Sequence, residues 1–428
     1  MGAAPSVQVM RCVDATEQTV AVSGYIGEEV EIVNVRSRLR QLLAPTLKRH
    51  SPLLWSGAVT ADRMVERARH SVARRLPILL RPEPRQIEIA ITALCNLRCI
   101  GCRYGREFMP NEQLDFATIR QLLDDAKEAG IWEARFYGGE PLLHPDLPKM
   151  IAHSVKIGMQ PYLTTNGLLL KDRVADVYDA GLRQITVGFY GTGAKYDSYV
   201  QRKDRFSRVE AGIAAVRDRY GMDVGMRINW LLMRPSCNLD DLDAACRFAE
   251  KYALRIQVDL IHYSLPYFTE GPDRVLQFRG EDEPAIRRVA EDILRRKRET
   301  PELFTQSLTG LASIPDWLLK GPDMRVPCDA HNMVWVGADG TVQMCYVTFK
   351  LGNLHEQRLR DMLFTATHRE AARDAVAVNC PNCHCKYDRR VEKHTASAKI
   401  YNRLLATTES HAPVARAEPA TPRRAGNF

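Results

Sequence analysis

Two groups of cysteines carry the chemistry open to this sequence. Cys95, Cys99 and Cys102 stand at Cys-x3-Cys-x2-Cys spacing, in Ala93-Leu94-Cys95-Asn96-Leu97-Arg98-Cys99-Ile100-Gly101-Cys102. Three thiolates can hold three irons of a cubane 4Fe–4S cluster and leave the fourth iron open. An open iron can bind a small molecule, whereas a closed structural site takes all four ligands from protein. A zinc knuckle uses the same residue type and is the competing reading. The second group is Cys328, Cys345, Cys380, Cys383 and Cys385. Four of these thiols suffice for a second cluster, and four thiolates also suit zinc. Eight of the eleven cysteines fall in the two groups. A secreted disulfide scaffold would be shorter and would carry a signal peptide. Clustered cysteines in a long intracellular chain point to metal.

Composition is that of an ordinary soluble globular protein. The 428 residues allow two to three domains with a large core, and 45% are hydrophobic and 26% charged. No apolar run approaches ~18 residues, so no membrane span is expected. The N-terminal residues lack a charged stretch followed by an apolar one, so a secretory signal is not expected and the location expected is cytoplasmic. The net charge of +8 is mild, and basic stretches such as Arg295-Arg296-Lys297-Arg298 read as solvated faces. Nucleic-acid binding is therefore not expected.

The elements that must position the first cysteine group alternate along the chain. Strands are predicted at Ile87–Thr92, Ala134–Tyr137, Gln160–Thr164, Gln184–Phe189, Val224–Leu232 and Arg255–Ile261. Between them lie amphipathic helices at Phe116–Ala129, Leu147–Ile157, Leu170–Ala180, Val209–Arg219 and Leu239–Lys251, the last behind the cap Asn238. Six alternating units imply a parallel sheet with outer helices. Residues 1–85 carry no chemical motif; short strands are predicted over 6–30 and helices at Arg36–Leu43 and Ala61–Leu76. Pro272–Gly280 reads as loop and Glu283–Arg298 as a charged helix. From about Thr407 the chain is rich in Ala, Pro, Arg and Thr without periodicity, and a disordered tail over 407–428 is predicted.

The cysteine loop behind a strand resembles that of the radical S-adenosylmethionine (radical SAM) superfamily. Tyr137-Gly138-Gly139-Glu140-Pro141 resembles that family's Gly-Gly-Glu motif, which binds the SAM ammonium. The resemblance implies an α/β fold: a partial (βα)6 TIM-like barrel over 86–327, with chemistry at the C-terminal strand ends. It implies a 4Fe–4S cluster on Cys95, Cys99 and Cys102, whose free iron chelates SAM. One electron then cleaves SAM to methionine and a 5′-deoxyadenosyl radical. Gly138, Gly139 and Glu140 are expected at the SAM ammonium. Asn166, in Thr165-Asn166-Gly167, is expected at the SAM carboxylate or ribose, or else is a turn residue. Arg227 inside the fifth strand needs a buried anion, either the SAM carboxylate or an acidic strand neighbour. Relatives place an aromatic residue just before the third cysteine, beside the adenine; Gly101 stands there, and Tyr104 is the expected substitute. The carboxylate that often ends the fourth strand is absent from Gly188-Phe189-Tyr190-Gly191.

The second group, with Gly340-x4-Cys345 and Leu351-Gly352-Asn353-Leu354 between its halves, resembles the C-terminal SPASM/twitch extension of radical SAM enzymes. One auxiliary 4Fe–4S cluster over 328–406 follows from the resemblance. Cys328, Cys345, Cys380 and Cys383 are the expected ligands, with Cys385 as an exchange candidate and His384 less favoured. Residues 1–85 are expected to form a cap or a substrate-binding region; Glu31–Val35 and the helix behind it faintly resemble a leader-binding winged helix. Relatives with a short extension act on small molecules. The function expected is hydrogen abstraction from a small polar intermediate of amino-sugar, aminocyclitol or nucleoside type, leading to dehydrogenation, dehydration or epimerisation. Maturation of a ribosomal peptide is the first alternative and a non-catalytic metal-binding module the second. A flavodoxin or ferredoxin is the expected electron donor. Cys237, in the loop after the fifth strand, is the candidate hydrogen-atom donor; a thiol near a helix N-terminus tends to be accessible and acidic. Its plain alternative is a small loop residue.

Overall fold

The computed structural model describes residues 51–268 and 274–410. The strands expected over 6–30, the helix Arg36–Leu43 and the winged-helix resemblance of Glu31–Val35 lie outside those residues. Helix α1 (Pro52–Arg75) begins earlier than the predicted Ala61–Leu76 and ends one residue sooner, with a proline in its first turn.

The six predicted strands are β1 (Gln86–Thr92), β2 (Glu133–Gly138), β3 (Gln160–Thr165), β4 (Gln184–Phe189), β5 (Gly225–Leu232) and β6 (Arg255–Leu260). All neighbours pair in parallel, in the order β6-β5-β4-β3-β2-β1. Strand β1 does not pair with β6, so the barrel stays open on one side. The crossover helices are α2 (Phe116–Glu128), α3 (Leu147–Lys156), α4 (Leu170–Asp179), α6 (Phe206–Tyr220) and α7 (Leu239–Lys251). Local chemistry starts two of them: Asp115 accepts from Thr118 N and Asn238 from Asp241 N. A short helix that periodicity did not reveal, α5 (Ala194–Val200), precedes α6.

Alternation along the strands separates two environments. Ile87, Ile89, Ile91, Phe136, Leu163, Val187, Ile228, Trp230 and Val258 are buried against the helices and form the main core. The opposite face lines the inside of the barrel and carries Glu88, Arg135, Tyr162, Thr164, Thr186, Arg227 and Asn229. Burial along β5 alternates residue by residue, with Met226, Ile228 and Trp230 packed outward and Arg227 and Asn229 facing in. At about 0.8 kcal/mol per buried methylene, the outward residues supply the cohesion and leave the inner face free to be polar.

The cysteine-rich segment extends this sheet. Strands β7 (Met333–Val336), β8 (Thr341–Gln343) and β9 (Lys350–Asn353) complete the order β1-β7-β8-β9, with β7 parallel to β1. Register places Glu88 opposite Arg135 on one side and Trp335 on the other. Helix α8 (Glu283–Glu299) agrees with the predicted charged helix. Short helices α9 (Leu308–Ala312), α10 (Ile314–Lys320) and α11 (Leu359–Met362), then α12 (Ala366–Ala377), α13 (Tyr387–Lys393) and α14 (Thr395–Ser410), complete the described chain. Helix α14 runs past Thr407, where a tail was expected to begin. No helix among the described residues is long and apolar enough to cross a membrane.

Candidate active site

The first cysteine group sits on the loop leaving β1, at the C-terminal strand ends. Three contacts hold that loop. Gly139 N donates to Thr92 O at 2.8 Å and Glu140 N to Leu94 O at 2.8 Å, so the end of β2 is bound to the start of the loop. Arg98 N and Ile100 N donate to Val200 O and Tyr199 O at the end of α5. Arg106 folds back to donate to the carbonyls of Cys99 and Cys102.

The glycines are required by contact. A Cβ on Gly139 would lie 2.2 Å from Leu94 O and 2.6 Å from Ala93 O. Gly138 has φ +138°, and a Cβ there would lie 2.3 Å from Thr92 O. Gly139→Ala is expected to cost more than about 3 kcal/mol, because the obstruction is backbone on both sides. Thermal denaturation checks this; a wild-type melting temperature would show that the loop yields freely.

Glu140 is fully buried. Its carboxylate accepts from Thr165 Oγ1 at 2.7 Å, Asn166 N at 2.8 Å and Leu142 N at 3.0 Å. Burial outweighs these donors and raises its pKa to about 7. These contacts tie the end of β2 to the end of β3. Asn166 continues the tie. Its Nδ2 donates to Asn96 Oδ1 at 2.7 Å and lies 4.0 Å from Cys95 Sγ, while its Oδ1 accepts from Leu168 N. Asn166 therefore has its turn role, and it also stands beside the cysteine loop.

Tyr104 lies against Phe108 and Tyr267, with ring centroids 5.1 and 5.0 Å away. The space above Gly101 is filled from elsewhere. A Cβ on Gly101 would lie 2.6 Å from Cζ of Phe268, and Phe268 bridges to Cys102. Arg103 anchors that segment, its N–H donating to Tyr267 O and its Nη1 to Pro266 O. The missing side chain before the third cysteine is thus replaced by a ring 167 residues away in sequence, counted from Gly101 to Phe268. Nothing local signals it.

Two expected site residues lie elsewhere. Cys237 was expected to be accessible and acidic. It is 6% exposed in the main core, and burial first, then Asp282, raise its pKa to about 12. Ser236 beside it is buried as well, so the thiol packs in the core and is not presented at the barrel mouth. Cys246 is buried within α7. Arg227 was expected near SAM, but it is the third of eight residues in β5, roughly 16 Å along the strand from its C-terminal end. It belongs to the barrel interior.

The thiols present fit the groups that the sequence implies. Burial raises the pKa of Cys95 to about 12, and burial and the other two thiols push Cys99 far up. Burial raises Cys102 as well. Three such thiols ionise together only around a cationic centre, as metal binding requires. The five later cysteines line one pocket with Asn382, Lys386 and Arg390. Cys385 donates its S–H toward Cys383, holding Cys383 low and itself high. His384 is turned away: its ring nitrogens meet Ile261 O and Trp317 O, each at 3.0 Å. Arg390, 1% exposed, donates to Cys383 O, Val326 O and Asn382 Oδ1 and thereby shapes the pocket; sequence reading missed it, as it missed Arg106. Among the described residues no three His, Cys, Asp or Glu side chains are grouped for a single metal ion.

An open parallel barrel with a three-thiol loop at its mouth and a five-thiol pocket beside it is a frame for two thiolate-held iron–sulfur clusters. Comparison with known proteins agrees. Residues 89–249 match the radical SAM superfamily, and residues 328–386 match the SPASM iron–sulfur cluster-binding domain. The chain thus carries a radical SAM domain and a C-terminal SPASM domain, and these two matched domains imply 4Fe–4S clusters and SAM. Curated relatives include the probable GTP 3′,8-cyclase of Methanothermobacter thermautotrophicus, 32% identical over 149 residues, covering 35% of this chain and 48% of the relative. The GTP 3′,8-cyclase of Chlorobaculum tepidum is 28% identical over 173 residues, covering 40% of this chain and 52% of the relative. The chain spans about half the length of these relatives. In fold it is similar to native anSMEcpe with bound AdoMet, at TM-score 0.55 and 15% identity, over 76% of this chain and 99% of that one. It is also similar to Streptococcus suis SuiB bound to S-adenosylmethionine, at TM-score 0.55 and 15% identity, over 81% of this chain and 83% of that one.

Proposed function

We propose that this chain cleaves SAM reductively and abstracts a hydrogen atom from a small polar metabolite held inside the barrel. The observation that carries the reading is the polar inner face. Glu88, Arg135, Thr164, Thr186, Arg227, Asn229 and Asp259 face a space that in an inert barrel would be filled by branched apolar side chains. When bound, the cluster and SAM supply a 5′-deoxyadenosyl radical. Cys95, Cys99 and Cys102 would hold that cluster, with the charge of Arg106 beside it. Gly138 and Gly139 present bare backbone, Asn166 orients the loop, and Tyr104 and Phe268 offer aromatic faces to an adenine. Cys328, Cys345, Cys380 and Cys383 would hold the auxiliary cluster, with Cys385 as the fifth thiol. A small one-electron protein such as a flavodoxin or ferredoxin is the fitting electron donor. The nucleotide named for the cyclase relatives supports the small-molecule reading over the peptide one.

The test is anaerobic assay of the reconstituted protein with SAM and a strong reductant. It should yield 5′-deoxyadenosine, with turnover stimulated by candidates of amino-sugar, aminocyclitol or nucleoside type. Stimulation by peptides alone would transfer the reading to peptide maturation, and no 5′-deoxyadenosine at all would leave a metal-binding module.

The auxiliary site has its own expected result. Cys328→Ala and Cys345→Ala should each lose the second cluster and lower the melting temperature, since metal binding here contributes to folding. Iron analysis checks this, and full iron content in both variants would remove the two thiols from the ligand set.

A further inference from the structure

Among the described residues, the inner face of the barrel holds a cation, Arg227, that forms no ion pair. Arg135 is neutralised: its Nη1 lies 2.6 Å from Glu88 Oε2 and also donates to Tyr346 OH at 2.7 Å. Arg227 approaches the same ring from the other strand. Its guanidinium is 5.8 Å from the centroid of Tyr162, and that of Arg135 is 5.9 Å from it. Arg227 Nε donates to Thr186 Oγ1 at 2.7 Å. Among the described residues its two Nη groups meet no protein acceptor, and Glu133, the carboxylate that acts on it, forms no ion pair with it.

The groups around Arg227 are short of acceptors. Thr186 Oγ1 accepts from Arg227, and Thr164 Oγ1 accepts from Arg135 at 2.9 Å, so each hydroxyl keeps its hydrogen to give. Thr164, Thr186 and Arg227 are direct neighbours in register across β3, β4 and β5. A layer of spare donors with a cation suits an oxyanion. Two residues on, Asn229 faces the same way. Its Nδ2 donates to Asp259 Oδ2 at 3.0 Å, but its Oδ1 is buried with no partner. A buried acceptor left unpaired is uncommon and asks for a donor from a ligand.

We propose that Arg227, Thr186 and Thr164 hold an anionic group of the substrate, a carboxylate or a phosphate, and that Asn229 Oδ1 accepts from a hydroxyl or amino group of the same molecule. The two points lie one strand step apart, roughly 7 Å, with the donor group nearer the mouth. The substrate class is therefore an acidic polyol or amino alcohol of sugar size. This rests on the barrel interior being the substrate site.

Phenylglyoxal labelling of the anaerobically prepared full chain, read by peptide mass, reports the free Nη groups directly. Inorganic phosphate should slow labelling of Arg227 by about tenfold, the loss of one charge-assisted contact. Acetate in a parallel arm distinguishes a carboxylate site from a phosphate site. Calorimetry then takes phosphate to Arg227→Gln, which should lose binding, and to Arg227→Lys, which should retain it. Glycerol 3-phosphate should bind wild type more tightly than phosphate, and Asn229→Ala should erase that advantage. Unchanged Arg227 labelling with both anions, or undiminished phosphate binding by Arg227→Gln, overturns the anion site. An advantage that survives in Asn229→Ala overturns the second point. None of these measurements uses SAM cleavage, so a failure of the radical reading would be seen separately, as absent 5′-deoxyadenosine.

Discussion

Replacing Cys95, Cys99 and Cys102 together with alanine is expected to abolish 5′-deoxyadenosine formation and to leave about four of about eight irons per chain, the count for one cubane at each cysteine group. The expectation is large because the loop is built around these thiols alone. Arg106, Asn166 and the end of α5 hold backbone and neighbours in place but offer no replacement thiolate. The loop should nonetheless keep its path, since Gly139, Glu140, Arg98 and Ile100 bind it through main-chain groups that alanine retains. Iron analysis, absorbance and product chromatography on the reconstituted triple variant are the measurements. Continued SAM cleavage would show that the first group is not the catalytic centre.

Glu140 carries the second large expectation. Glu140→Ala strands three donors, two buried on Thr165 and Leu142 and one half-buried on Asn166, and at about 1–3 kcal/mol for each buried one the fold at the strand ends should be strongly weakened. The milder Glu140→Gln exposes a pH effect. Burial raises the folded-state pKa from 4.5 to about 7. Between those values the folded chain holds a proton that the unfolded chain has released. Stability from this group is therefore greatest below pH 4.5, declines as pH rises toward 7, and is level above it. The full change is about 3 kcal/mol at 1.36 kcal/mol per unit. Denaturant midpoints of wild type and Glu140→Gln across this range should differ in slope with that sign. Parallel curves would show that Glu140 is not protonated in the folded protein.

Phe268 and Arg227 mark where sequence reading stopped. Gly101 was legible as a departure, a position lacking an aromatic side chain, yet the remedy stands on the far side of β6. Tyr104, nearby in sequence, was the natural substitute and proves to be one part of an aromatic group completed by Phe108 and Tyr267. Arg227 was legible as an arginine that required an anion, because an unpaired charge in an apolar strand is costly. Its depth in the barrel was not, because a motif lists residues without saying how far along the strand each one stands.

The sequence by itself determined which atoms are available for chemistry, and where the alternation of strands and helices places them. Cysteine spacing is a local property, and six βα periods leave few topologies once crossovers must be right-handed. Tertiary structure alone decided what each polar side chain meets. Glu140 faces Thr165 and Asn166, Cys237 packs in the core, and Cys385 points toward Cys383. It also decided that β7 joins β1, bringing Tyr346 onto Glu88 and Arg135 inside the barrel. Such pairings span up to 258 residues, and they form because a buried charge or donor takes whichever partner the packed strands bring within reach.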